Sequence, residues 1–263
     1  MQLNILPIFK RELKTYFQSP SLYVVAGLFF LLVGYFFNQF ILAFSQASQN
    51  PYQRYTYGFE TLNITYDILN SLFGLINFLM LFIIPIFTMR LIAEEKKTGT
   101  FELITTCPIS DAGLVLGKFF AAFAIIGGMI IICLIYPLIM NKLTVTPGML
   151  EWKVVSSCFL GLFLMSAAYI SFGLFASSVT ENQIISAIIS YTGLLLLFLI
   201  GNLSSVNPNT LWAKISESLS IHLHSVQLTR GVIRGIDIIY FIALILSFLF
   251  LSTSILESRR WRV

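Results

Sequence analysis

Long stretches without a charged residue constrain this chain more than any other feature of its sequence. Asp, Glu, Lys and Arg are absent from six intervals, the shortest of which has 19 residues: 21–53, 68–89, 119–141, 154–180, 182–213 and 238–256. A helix rises about 1.5 Å per residue and needs roughly 20 residues to cross about 30 Å of hydrocarbon. The intervals therefore predict six membrane-spanning helices, near residues 22–44, 68–89, 114–140, 154–178, 184–201 and 238–256.

The composition excludes a water-soluble alternative. Of the 263 residues, 57% are hydrophobic and only 11% are charged. Buried helices of soluble proteins run about 11–12 residues and carry polar stripes, which these intervals lack. A cleaved signal peptide is also disfavoured, because the apolar stretch 22–44 exceeds the roughly 7–15 residues of a signal core. We expect an all-α membrane protein made of one transmembrane domain, residues 1–263.

Two flanking segments are amphipathic. In residues 1–20, apolar side chains recur at helical spacing, and four charged residues are expected on the opposite side, Lys10, Arg11, Glu12 and Lys14. This pattern predicts a helix on the membrane surface that ends at Ser19-Pro20. Segment 202–237 alternates apolar and charged residues, so it forms either short helices that dip into the outer leaflet or an ordinary surface helix. The short connection 180–182 predicts an antiparallel hairpin of the fourth and fifth spans.

The distribution of Lys and Arg predicts the orientation. With six spans both termini lie on one side, and that side carries ten of the sixteen Lys and Arg residues, against six on the other. We therefore expect a multi-pass membrane protein with both termini cytoplasmic. The net charge of +4 is explained by attraction to anionic lipid, so nucleic acid is not an expected partner.

Signatures of catalysis, cofactor binding and metal binding are missing from the sequence. The only Gly-Lys pair, Gly117-Lys118, is followed by Phe119 and lacks the first glycine of a P-loop. The two histidines have no carboxylate partner at helical spacing, and the three cysteines lack metal-binding spacing. Ion-coupled carriers place ionisable groups at depth, and the charge-free intervals have none. We expect no catalytic, cofactor or metal residue, so energy for transport comes from another protein or the chain is passive.

The segment between the second and third spans is the most polar part of the chain. Eight of residues 90–118 are charged, including Glu94, Glu95 and Glu102. Turn-forming residues divide the segment at Gly99 and Pro108. It forms either a short helix that inserts into a groove of a partner protein or a solvated loop.

Three motifs resemble the permeases of ABC-type-2 exporters, in particular the branch of gliding-motility and nitrous-oxide-reductase-maturation permeases. The first is Lys10-Arg11-Glu12-Leu13 with Tyr16-Phe17 and Ser19-Pro20. The second comprises Glu94-Glu95, Gly99-Thr100-x-Glu102-Leu103, Pro108-x-Ser110 and Gly117-Lys118. The third is the terminal Leu256-Glu257-Ser258-Arg259-Arg260-Trp261-Arg262.

This resemblance implies a transmembrane subunit with six spans, a cytoplasmic coupling helix within 90–112 and short re-entrant helices within 202–237. It implies a homo- or heterodimer that works with separate ATPase subunits, which bind ATP and Mg, and an accessory extracytoplasmic subunit is possible. Carried onto this sequence, the coupling interface comprises Glu94, Glu95, Gly99, Thr100, Glu102, Leu103 and Pro108, together with Lys10, Arg11 and Glu12. The alternatives are a passive channel or secondary carrier and, least favoured, a membrane-embedded enzyme.

Overall fold

Helices form the framework of the part of the chain that the structure describes. The computed structural model describes residues 5–50, 63, 65–101, 110–143, 150–201, 216 and 218–260, without the side chains of 259 and 260. Its helices are α1 Ile5–Gln18, α2 Pro20–Gln49, α3 Asn70–Thr88, α4 Ala93–Lys97, α5 Asp111–Ile132, α6 Ile135–Leu143, α7 Trp152–Val179, α8 Gln183–Leu199, α9 Ile221–Thr229 and α10 Gly235–Arg260. A π-helical turn, Thr65–Leu69, leads into α3.

Five segments are long and apolar enough to cross a membrane. They are Pro20–Gln49, Thr65–Lys97, Asp111–Leu143, Trp152–Val179 and Gly235–Ser258. These segments contain the predicted first, second, third, fourth and sixth spans, so the all-helical, multi-pass character of the fold is confirmed. The predicted fifth span corresponds to α8, which has 17 residues and a length of about 25 Å. That length is at the lower limit for a span, so the count of six stays a prediction.

Helix α7 is the centre of the bundle, and it packs against α3, α5, α8, α9 and α10. In its apolar stretch 78% of residues are buried, against 17% in α2 and in α10, which form the outer surface. Glycines let the neighbours approach α7 closely. A Cβ at Gly173 would lie 2.2 Å from Oγ1 of Thr88 on α3, and one at Gly161 would lie 3.1 Å from Cβ of Leu228 on α9. Small residues at such contacts are typical of helix packing in membranes.

The third span is interrupted near Pro137. Proline has no backbone N–H, so the carbonyl of Cys133 cannot accept the usual bond from residue 137. That carbonyl accepts instead from the N–H of Tyr136, at 3.1 Å. The span therefore consists of α5 and α6, separated by residues 133–134, rather than one uninterrupted helix.

The connections that flank α8 and α9 agree with the sequence where the structure describes them. Helix α7 ends at Val179 and α8 begins at Gln183, and the side chain of Asn182 caps α8 by accepting the N–H of Ile184 at 2.9 Å. The predicted tight hairpin is thus confirmed. Within the amphipathic segment 202–237, α9 is a short helix that ends before Gly231, where φ is +81°. Residues 202–215 and 217 lie outside the described residues, so the predicted re-entrant arrangement stays a prediction.

Helix α1 is amphipathic, but its buried edge differs from the prediction. Ile8 and Glu12 are the buried residues of the helix, whereas Leu6 and Phe17 are 63% and 57% exposed. The expectation that Glu12 lies on the polar side with the other charged residues is wrong. At 100° per residue Glu12 lies beside Ile5, Ile8 and Tyr16, so it faces the protein when the helix packs on α5.

Candidate functional site

The most unusual feature of the bundle is a group of four charged side chains, three of which are buried. We call Arg11, Glu12, Glu95 and Lys118 the ion-pair cluster. Lys118 lies two turns into α5 and is only 1% exposed. Its Nζ atom is 2.9 Å from Oε1 of Glu12 and 2.9 Å from Oε1 of Glu95. The cluster therefore joins α1, α4 and α5 at one end of the bundle.

Arg11 balances the second negative charge. Its Nη2 atom is 3.3 Å from Oε1 of Glu12, and it also donates to Oε1 of Glu95. The side chain of Arg11 is 57% exposed, so it covers the outer side of the cluster, while Lys118 is the inner cation. Two cations and two carboxylates leave the cluster neutral, which is what burial in a membrane protein requires.

The close approach of α1 to α5 makes these contacts possible. Gly117, the residue before Lys118, faces Ile8 of α1. A Cβ at position 117 would lie 2.8 Å from Cγ2 of Ile8 and 3.3 Å from the carbonyl oxygen of Ile5. Both distances are shorter than a normal van der Waals contact. The Gly-Lys pair thus has a structural reason: the glycine lets α1 approach, and the lysine pairs with the carboxylate that α1 presents.

Hydrogen bonds attach helix α4 to α7. The hydroxyl oxygen of Ser177 accepts the backbone N–H groups of Ile92 and Ala93, at 3.1 and 3.0 Å, and donates to the carbonyl of Met89 at 3.2 Å. A side chain of another helix thereby satisfies two N–H groups at the start of α4, which lack partners within the helix itself. Lys96 also donates to the carbonyl of Ser178. Both ends of α4 are consequently fixed to α7.

The outer side of α4 and the turn after it are exposed. Glu94, Lys97, Thr98, Gly99 and Thr100 are all exposed, whereas Ala93 and Glu95 are buried. The turn reverses at Gly99, where φ is +71°, a conformation that residues with a Cβ rarely adopt. The hydroxyl of Thr98 donates to the carbonyl of Glu94 at 2.9 Å. An ordered polar surface therefore projects from the end of the bundle that carries the ion-pair cluster.

Tyr16 links α1 to α3 beside the cluster. Its hydroxyl donates to the carbonyl of Phe87 at 2.9 Å, and the two rings pack edge to face with centroids 5.9 Å apart. Burial raises the pKa of Tyr16 well above its usual range, so the hydroxyl remains a hydrogen-bond donor. Helix α1 is thus attached to α3 and to α5.

The predicted interface residues fall into three groups. Arg11, Glu12 and Glu95 meet in the cluster, although two of them are buried and were expected on an exposed surface. The exposed residues are Lys10, Glu94, Gly99 and Thr100. Glu102, Leu103 and Pro108 lie outside the described residues. The segment thus combines an exposed outer surface with a buried ionic attachment.

Sequence analysis missed two residues of this site, Lys118 and Ser177. Lys118 immediately precedes the charge-free interval 119–141, and helix α5 begins before that interval, at Asp111. The expectation that no span carries an ionisable residue is therefore wrong for Lys118. The sequence signal that could have identified Lys118 was its position directly before 23 uncharged residues, which requires a buried lysine there to have a carboxylate partner such as Glu12 or Glu95. No pattern in the sequence distinguishes Ser177 from the other serines of α7.

A second buried pair lies at the opposite side of the bundle, between α9 and α10. Nδ1 of His224 is 2.6 Å from Oδ1 of Asp237, and the imidazole stacks on Tyr240 with centroids 4.1 Å apart. The sequence has no carboxylate at helical spacing from the histidines, and the partner of His224 lies 13 residues further along the chain, on a different helix. Among the described residues no group of three or more His, Cys, Asp or Glu side chains is placed to hold a metal ion.

Comparison with known proteins identifies a family. Residues 6–259 match the family model described as ABC-2 family transporter protein. The matched range covers nearly the whole chain and contains all four residues of the ion-pair cluster. No curated protein matches the chain significantly.

Proposed function

Because this chain belongs to the ABC-2 family of transporter proteins, we propose that it is the permease subunit of an ATP-binding cassette transporter. A separate ATPase subunit binds ATP and Mg, and the permease converts the movement of that subunit into substrate export or mechanical work across the inner membrane. The permease functions as a dimer, either with a second copy or with a related chain. The permease subunit itself carries no catalytic residue in this proposal.

The proposed topology follows from the helices. Five segments have the length and composition of spans, and α8 is the remaining one, continued by a short 3-10 turn at residues 200–201. Six spans place both termini on one side, and the excess of Lys and Arg assigns that side to the cytoplasm. In this arrangement α1, α4 and the ion-pair cluster face the cytoplasm, where an ATPase is available.

The observation that carries the proposal is the ion-pair cluster. Helix α4 and its turn present an exposed polar surface to a partner, and Glu95 on the buried side of α4 is bonded to Lys118 in the third span. The same lysine is bonded to Glu12 of α1. A solvated loop needs no buried ionic attachment, so the arrangement supports the interpretation of 90–112 as a coupling segment.

The contacts define a path for force. An ATPase that moves α4 displaces Glu95, and Lys118 carries that displacement to α5 and, through Glu12, to α1. Ser177 carries the same movement to α7, the central helix of the bundle. Buried charge pairs transmit displacement well, because separating them exposes uncompensated charge at a cost of several kcal/mol.

The surface that meets the ATPase comprises the exposed residues Glu94, Gly99 and Thr100 and, in the undescribed part of the segment, Glu102, Leu103 and Pro108. The substitution Glu102→Ala or Leu103→Asp is expected to uncouple ATP hydrolysis from transport and to leave membrane insertion intact. Positions 102 and 103 lie outside every charge-free interval.

The experiment that tests the proposal replaces Lys118 with methionine, which keeps the length of the side chain and removes its charge. The matched control is Lys142→Met at the exposed far end of α6. The complex with the cognate ATPase is purified for each variant, and the ATP-dependent change in cysteine reactivity along α5 and α10 is measured. We expect both variants to bind the ATPase, and only Lys118→Met to lose the ATP-dependent change.

Two results would contradict this proposal. The first is a folded Lys118→Met variant whose helices respond to ATP as the control does. The second is a wild-type chain that forms no complex with any cognate ATPase yet transports solute in proteoliposomes without ATP, which would establish the passive channel or carrier instead.

A further inference from the structure

A cavity next to the ion-pair cluster shares Glu12 and Glu94 with the proposed coupling machinery, but the coupling assigns no ligand to it. It has a volume of about 260 Å3 and lies where α1, the start of α2 and the end of α3 meet. This volume is below the roughly 300–1,000 Å3 of sites that enclose a drug-sized molecule. The cavity therefore suits a compact polar group whose remainder extends outside it.

One cation and one carboxylate in the lining are left without an ionic partner. Arg90 and Glu94 both line the cavity and are exposed. No ion pair involves either side chain among the residues that the structure describes. The third charged residue of the lining, Glu12, is already neutralised by Lys118. The charge available to a ligand is thus one positive and one negative group in the lining of the same cavity.

Two serine hydroxyl groups and apolar side chains also line the cavity. Ser19 and Ser21 share one hydrogen bond, 2.7 Å between their Oγ atoms, so the accepting hydroxyl keeps its own proton for another acceptor. Val25 of α2 and Ile86 of α3 form the apolar side, and Ile86 is 42% exposed on the outer surface of the bundle. The cavity is therefore polar at one end and open to an apolar surface at the other.

The position of the cavity is that of a lipid headgroup. Leu6 and Phe17 of α1 expose apolar side chains, and Tyr23 near the start of α2 is 61% exposed. An amphipathic helix with these features lies at the boundary between headgroups and acyl chains, and tyrosine is enriched at that depth. A lipid of the same leaflet reaches the cavity from the side, without crossing the protein.

We propose that this cavity binds the headgroup of a zwitterionic aminophospholipid, such as phosphatidylethanolamine. The phosphate pairs with Arg90 and the free serine hydroxyl, the ammonium group pairs with Glu94, and the acyl chains lie against Val25 and Ile86. An anionic lipid of similar size places its phosphate beside Arg90 but leaves Glu94 without a cation. The site therefore discriminates by charge, and the bound lipid lies between α1 and the coupling segment.

The test is native mass spectrometry of the purified full-length protein with dioleoyl phosphatidylethanolamine or dioleoyl phosphatidylglycerol at equal concentration. Wild type is expected to prefer the zwitterionic lipid about tenfold, the effect of one charge-assisted hydrogen bond. Arg90→Gln is expected to weaken binding of both lipids about tenfold. Glu94→Gln is expected to abolish the preference. Lys97→Gln and Glu257→Gln, exposed charges outside the cavity, are the matched controls.

Three results would overturn the lipid site: equal binding of the two lipids to wild type, variants that bind as the controls do, or competition by glycerophosphoethanolamine at the concentration at which the whole lipid binds. The last result would mean that a soluble headgroup, not a lipid, is the ligand. If either glutamine variant fails to fold, Arg90→Lys and Glu94→Asp are compared, and retained preference in both is then the expected result. Lipid binding is measured without an ATPase, so this inference and the proposed coupling fail independently.

Discussion

The packing of α1 on α5 provides the sharpest test of the geometry. The perturbation is Gly117→Ala, which adds one methyl group facing α1. That carbon would lie 2.8 Å from Cγ2 and 2.9 Å from Cβ of Ile8, and 3.3 Å from the carbonyl oxygen of Ile5. A change of rotamer moves Cγ2 but moves neither Cβ nor the carbonyl oxygen. Helix α1 must therefore shift away from α5 by about 1 Å to restore normal contacts.

The expected cost combines two opposing effects. Overpacking of this kind costs about 1–3 kcal/mol, and replacing glycine by alanine within a helix recovers about 0.5–1 kcal/mol. The net destabilisation is thus about 0–2.5 kcal/mol, and it is about 1–3 kcal/mol relative to a glycine-to-alanine change on the same helix that meets no neighbour. The same shift lengthens the 2.9 Å contact between Lys118 and Glu12, so coupling to the ATPase is expected to weaken as well.

Thermal unfolding in detergent measures the first effect, and the ATP-dependent change in cysteine reactivity along α5 measures the second. Gly128→Ala on the same helix is the matched control, because a Cβ at Gly128 meets no atom of the described residues within 4 Å. In an Ile8→Ala background, which lacks Cγ2, Gly117→Ala is expected to cost less than it does in the wild type. If Gly117→Ala is as stable as Gly128→Ala, the close approach of α1 to α5 is incorrect.

Three further predictions concern single residues. Ser177→Ala leaves two buried N–H groups without their acceptor, and it is expected to lower the free energy of unfolding by about 2–4 kcal/mol. Ser178→Ala is expected to cost less, because the hydroxyl of Ser178 donates only to the carbonyl of Phe175 in its own helix. Gly99→Ala, at φ +71°, is expected to cost about 1–2 kcal/mol, and Gly99→Asn less, by the same measurement. Burial lowers the pKa of His222 from 6.5, so the unfolded chain binds more protons below about pH 6.5, and stability falls as the pH falls. The melting temperature of His222→Phe is expected to fall less than that of the wild type as the pH is lowered. An unchanged pH dependence would refute the attribution of the acid sensitivity to His222.

The spans were predictable because they depend on a local property. Residues in hydrocarbon must satisfy their backbone groups within the helix and are predominantly apolar, so charge-free stretches of 19 or more residues identify the spans. The ends of the helices were less predictable. Helix α2 extends to Gln49, beyond the predicted span 22–44, and α10 begins at Gly235, before the predicted span 238–256. A helix continues past the hydrocarbon when its polar side chains reach water.

The ion-pair cluster was not predictable, because its contacts are tertiary. Glu12 and Lys118 are 106 residues apart in the chain, and periodicity placed Glu12 on the polar side of α1 with the other charged residues. The pair of His224 and Asp237 was missed for the same reason, because a turn at Gly231 separates the two helices. The resemblance of short motifs pointed to segment 90–112 as a whole, whereas the structure shows which of its described residues are buried.

A site-specific crosslink measures the central claim most directly. A photoreactive amino acid is placed at Lys97, on the exposed side of α4, and for comparison at Lys142, at the other end of the third span. Native membranes that contain the cognate ATPase are then irradiated. The account predicts a crosslink to the ATPase from position 97 and none from position 142. A crosslink from position 142 alone, or from neither position in a complex that copurifies, would contradict it.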